Sequence, residues 1–116
     1  MLVAGAGPAG SAVATLLARA GHRVRLVDRA AFPRDKACSE YMSPEAVRIL
    51  DRLGVVADLE AAGAVPNRGT VVTAARGARL EGRFDRAGYR PFRATGLSVA
   101  RRLLDHRLAL AAQGAG

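Results

Sequence analysis

The sequence has one cysteine, no tryptophan, two tyrosines and three phenylalanines in 116 residues. The lone cysteine, Cys38, excludes an internal disulfide and any metal site built from several cysteines. With so few rings, the hydrophobic half of the chain is mostly Ala, Val and Leu, and its core must be assembled from small groups. Gly, Pro or charge interrupts every apolar stretch before it reaches the roughly 18 residues of a membrane-spanning helix. No transmembrane segment is expected, and the expected location is cytoplasmic. Acidic residues are scarce too, 10 against 18 basic ones, for a net charge of +8. Lysine is nearly absent, since every basic residue except Lys36 is Arg. Such an excess points on its own to nucleic acid or an anionic surface. The arrangement argues against that. The arginines are scattered, no aromatic platforms separate them, and the densest stretch, Arg68 to Arg93, also carries Glu81 and Asp85. A solvated, Arg-studded face is expected, with no nucleic-acid partner.

This length allows one domain at most. Residues 1–21 are apolar but lack the basic start of a leader, and Gly5, Gly7, Pro8 and Gly10 break the run. They read instead as a short buried strand, Leu2-Val3-Ala4, a glycine turn, and a helix from about Pro8 to Ala20 ended by Gly21. Residues 23–28 alternate and carry β-branched side chains, which predicts a second strand, parallel to the first. Residues 29–42 have no period and read as loop. Ser43 and Pro44 open a helix with Val47, Ile49, Leu50 and Leu53 on its apolar stripe, stopped at Gly54. A shorter helix is predicted over Val56–Ala62, closed by Gly63. Strands at 70–73 and 78–81 form a hairpin around Arg76-Gly77, residues 84–95 read as loop, and a last helix covers Val99–Ala112 with Leu104, Leu108 and Ala111 on one face. The fold class is therefore α/β: a Rossmann-like βαβ unit with additional helices and a β-hairpin, an incomplete domain.

Gly5-Ala6-Gly7-Pro8-Ala9-Gly10 matches G-x-G-x-x-G. The match follows a strand, opens a helix, and has Asp28 at the end of the next strand, the context a dinucleotide fingerprint requires. Gly5 permits the tight turn, Gly7 lets a pyrophosphate approach the backbone, and Gly10 lets helix and strand pack closely. The helix start offers N–H donors and a positive dipole end to phosphate. Asp28 can accept from a ribose diol and would repel a 2′-phosphate, which disfavours NADP at this site. An NAD-binding half would continue quickly to a third parallel strand. This chain spends residues 29–64 on a loop and two helices, which favours FAD.

The glycine turn with Ser11, the Asp28-Arg29 pair and the run Phe32-Pro-Arg-Asp-Lys-Ala-Cys-Ser-Glu-Tyr-Met-Ser-Pro-Glu-Ala46 together resemble the N-terminal part of the geranylgeranyl-reductase-like flavoproteins, within the p-hydroxybenzoate-hydroxylase-type superfamily. Leu97-Ser-Val-Ala-Arg-Arg-Leu-Leu-Asp105 resembles that family's later arginine-bearing helix start. The resemblance implies an FAD-dependent monooxygenase or double-bond reductase acting on a small hydrophobic substrate, with NAD(P)H as electron donor. It implies that Gly5, Gly7, Pro8, Ala9 and Gly10 lie against the FAD pyrophosphate, that Asp28 holds the adenosine ribose, and that Arg29 flanks the adenine. Cys38 and Ser39 would touch the flavin and ribityl chain, and Arg101 would reach the pyrophosphate. The family has Gly where this chain has Ser39. It also implies that residues 1–116 are the N-terminal part of an FAD-binding domain, with the substrate domain and a later Gly-Asp motif absent and the chain alone inactive. The rival expectation is a nucleotide-binding piece without turnover. No catalytic or metal-ligating residue is singled out. Tyr41 and Tyr89 are candidate pocket residues, and His22 and His106 read as surface or structural.

Overall fold

The computed structural model describes every residue except Ser39. β1 (Leu2–Ala4), α1 (Pro8–Arg19) and β2 (Arg25–Val27) form the βαβ unit. The strands are parallel, with Val3 opposite Leu26. α1 begins at Pro8, where the fixed φ of the ring suits the first helical position and its missing N–H costs nothing. It ends ahead of Gly21, which at φ 86° takes the left-handed turn. The Gly21 and His22 N–H groups reach back to the carbonyls of Ala18 and Leu17. Ser11 and Thr15 are fully buried on α1. Neither hydroxyl is orphaned: Ser11 donates to the Ala6 carbonyl at 3.0 Å and Thr15 to that of Ser11 at 2.8 Å.

Beyond β2 the chain departs from the expected loop at β3 (Tyr41–Met42). α2 (Pro44–Leu53) follows, capped by Ser43 Oγ, which accepts from the Ala46 N–H at 3.3 Å. Gly54 closes it at φ 78°. Val47, Leu50 and Leu53 are buried, but Ile49 is 50% exposed. Successive helical residues lie about 100° apart, and with Leu50 turned to the core Ile49 falls at the edge of the buried stripe. The guanidinium of Arg19 donates to the carbonyls of Arg52 and Leu53 at 2.7 and 2.9 Å, closing the end of α2 and tying it to α1.

α3 (Val56–Ala61) leads to β4 (Val65–Asn67). β5 (Gly69–Thr73) and β6 (Arg79–Arg83) make the expected antiparallel hairpin, with Val71 opposite Glu81. β7 (Gly96–Ser98) lies between the expected loop and the expected last helix, where no element was predicted. It is the central strand of an antiparallel sheet, flanked by β3 and β4. α4 (Arg101–Gly114) starts two residues later than expected, because Ala100, its N-cap, has a non-helical ψ of 134°. It also runs on past Ala112; Leu104, Leu108 and the partly buried Ala111 face the core as expected, and Ala112 is buried as well.

The main core joins α2, α3, α4 and β7: Val47, Leu50, Leu53, Leu59, Leu97, Leu104 and Leu108. α1 lies between this core and the parallel pair, packed along α4. Its first turn is thereby held at a fixed place beside the start of α4. Among the described residues no helix is long and apolar enough to cross a membrane.

Candidate functional site

The glycine turn links β1 to α1 and faces the end of β2. Gly5 sits at φ 101°, a left-handed conformation that glycine adopts without strain. Its N–H donates to the Val27 carbonyl at 2.7 Å and extends the parallel pairing into the turn. A Cβ on Gly10 would collide with the Gly5 carbonyl oxygen and lie 3.5 Å from Val3 Cγ1. This is the close helix–strand contact expected of the third glycine. Gly7 is the N-cap of α1, so no side chain covers a helix start whose first N–H groups lack intrahelical partners.

Asp28 reaches across to this turn. Its Oδ2 accepts from the Ala6 N–H at 2.7 Å and its Oδ1 from the Ala30 N–H at 2.9 Å. These two bonds, that from Ala30 first, hold the carboxyl below its usual value, helped by Arg34 and Arg29 and opposed by burial. The folded pKa lies below the unfolded one, so the brace is present above about pH 4 and is lost as pH falls through the lowered value. Asp28, Arg29, Arg34 and Lys36 line a groove of about 770 Å³ that runs from Gly5 along the end of β2.

Arg101, at the start of α4, forms a bidentate pair with Asp105, with both contacts at 2.9 Å. Asp105 and the Cys38 side chain raise its pKa still further above the usual guanidinium value, Asp105 being the larger cause. Cys38 itself is exposed. Arg34, from the loop after β2, also meets Asp105, at 3.0 Å. The two guanidinium groups converge on Gly7, the N-cap of α1: a Cβ there would lie 3.7 Å from Arg34 Nη2 and 4.0 Å from Arg101 Nη2. A backbone with no side chain, a helix start and two guanidinium groups thus face one space, the chemistry a diphosphate requires. Arg34 and Asp105 were not among the residues singled out from the sequence.

The other candidates fall nearby. Pro8 and Ala9 line an apolar cavity of about 340 Å³ between α1, α2 and α4, with Cys38, Tyr41 and Arg101 at its polar side. Tyr89 is 59% exposed and lies outside that cavity. Arg29 is exposed at the rim of the Asp28 groove. Ser39 lies outside the described residues. His22 is exposed and His106 half-buried on α4. Among the described residues no His, Cys, Asp or Glu cluster could hold a metal ion.

Known proteins resemble this chain in sequence and fold. The family model described as an FAD binding domain matches residues 1–114. The menaquinone reductase of Mycolicibacterium smegmatis is 55% identical over 60 residues, which cover 52% of this chain and 15% of that protein. The squalene monooxygenase of Candida glabrata is 38% identical over 71 residues, 61% of this chain and 14% of that protein. Among solved structures, the myxobacterial chondrochloren halogenase CndH superimposes with a TM-score of 0.86 at 30% identity, over 99% of this chain and 26% of that one. A flavoprotein/dehydrogenase from Cytophaga hutchinsonii gives 0.87 at 28% identity, over 99% and 28%. The chain therefore spans about a seventh of the length of the curated relatives it matches and about a quarter of these solved structures. With its glycine turn, its Asp28 groove and its two converging arginines, the chain belongs to the FAD-binding-domain family, and its cofactor is FAD.

Proposed function

We propose that residues 1–116 are the N-terminal part of the FAD-binding domain of a flavin-dependent oxidoreductase that draws electrons from NAD(P)H and acts on a small hydrophobic molecule. The convergence of Arg34 and Arg101 on Gly7 carries this reading, because it provides for the doubly anionic centre of the dinucleotide. When bound, FAD supplies a ring system that accepts and passes on a hydride. The protein's part is to hold and orient it. The α1 start with Gly5, Gly7, Pro8, Ala9 and Gly10 takes the diphosphate together with Arg101, Asp28 takes the ribose, and Arg29 flanks the adenine. Cys38 stands on the flavin side. The menaquinone reductase and squalene monooxygenase among the relatives support a hydrophobic substrate. The run from Phe32 to Ala46 supports the geranylgeranyl-reductase-like branch.

Anaerobic addition of NADH or NADPH to the FAD-loaded protein, expressed from its complete reading frame, tests the reading. The flavin absorption is expected to bleach within seconds to minutes. A flavin that stays oxidised with both donors favours the alternative, a nucleotide-binding module without turnover.

A further inference from the structure

Asp105 is fully buried and charged, on a helix whose neighbouring turns bury Leu104 and Leu108. A buried carboxylate is costly unless its oxygens are occupied. Here both are: Oδ1 accepts from Arg101 Nε at 2.9 Å, and Oδ2 is shared by Arg101 Nη2 at 2.9 Å and Arg34 Nη1 at 3.0 Å. Helix stability does not account for the pair. A cation at a helix start with an anion one turn later is the unfavourable polarity for the helix dipole. Arg34 comes from a different element altogether, the loop after β2. Its guanidinium also lies 4.8 Å from the Phe32 ring centre, which supports its plane from one side, and 4.0 Å from Asp28 Oδ2. Arg34 engages Asp105 through Nη1, while its Nη2 faces both Asp28 Oδ2 and the space over Gly7.

We propose that Asp105 is a positioning residue that holds Arg34 and Arg101 together as one clamp for the FAD diphosphate, with Arg34 as the second arm. Asp105 touches no cofactor atom. It fixes two long side chains that would otherwise lose rotamer freedom when the phosphates arrive. The inference rests on the reading that the diphosphate lies over the start of α1.

The test is calorimetric titration of FAD and ADP, with adenosine measured by competition, into the protein from its complete reading frame and into Asp105→Asn and Arg34→Met. In both variants FAD and ADP affinity is expected to fall about tenfold or more, the usual effect of losing a charge-assisted hydrogen bond, and to fall well beyond any loss of adenosine affinity. A merely structural role would weaken ADP and adenosine alike. If Asp105→Asn does not fold, Arg34→Met decides, since its side chain is nearer the surface. An ADP-to-adenosine preference that stays within about twofold of the parent overturns the clamp. A parent protein that binds neither FAD nor ADP overturns the diphosphate reading itself, and the clamp with it.

Discussion

Replacing Gly7 with Val is expected to abolish FAD binding while the fold stands. The backbone at Gly7 has φ −73° and ψ −175°, an extended conformation open to any residue. The nearest atoms to an added Cβ are the ends of two flexible side chains, Arg34 at 3.7 Å and Arg101 at 4.0 Å. Nothing in the core opposes the substitution. The isopropyl group would instead fill the space onto which both guanidinium groups and the start of α1 open, and it would hold the diphosphate away from all of them. A loss of about 100-fold in affinity, some 3 kcal/mol, is the expected minimum. Titration of FAD reads the loss, and a melting temperature within a few degrees of the parent shows that the fold survives. Unchanged affinity would mean that the phosphates do not approach at Gly7.

Gly10→Ala is expected to do the reverse. Its added methyl would meet backbone first: the Gly5 carbonyl oxygen in direct collision and the Gly5 carbonyl carbon at 3.0 Å, with the Val3 side chain behind at 3.5 Å. The turn cannot yield without breaking the Gly5 N–H bond to Val27, and α1 cannot lift without leaving β1. Overpacking of this kind costs about 3 kcal/mol or more. In a domain of this size that lowers the melting temperature by roughly 10–20 °C. A circular-dichroism melt measures it. A transition at the parent temperature would show that helix and strand are not in the contact described. Two glycines three residues apart thus fail in different ways, one in binding and one in folding.

Where the chain punctuates itself, its structure was readable in advance. Pro8 and Gly21 bound α1, Ser43 and Gly54 bound α2, and Gly77 turns the β5–β6 hairpin. Each of these residues acts locally, Ser43 through its capping hydroxyl and the others through their own backbone, so one position carries the signal. β3, β4 and β7 were not readable. They are two or three residues long, too short for an alternation to register, and they exist because β7 pairs with segments some 30 and 55 residues earlier. β4 even carries Pro66, which ordinarily argues against a strand and is tolerated at this sheet's edge. The site divides in the same way. The glycines and Asp28 follow a spacing set by the turn. Arg34 has no local pattern, because only the fold brings its loop beside α4. Asp105 did leave a trace: it stands one helical turn after Arg101, the spacing at which an acid and a base on one helix can pair. Its burial, which gives that pair its meaning, belongs to tertiary structure alone.

The cofactor itself bears most directly on the whole. The protein purified from cells should be yellow, and the nucleotide released on denaturation should run as FAD, in an amount close to one per chain. A colourless protein that takes up no added FAD and binds NAD instead would contradict the assignment of this glycine turn to flavin.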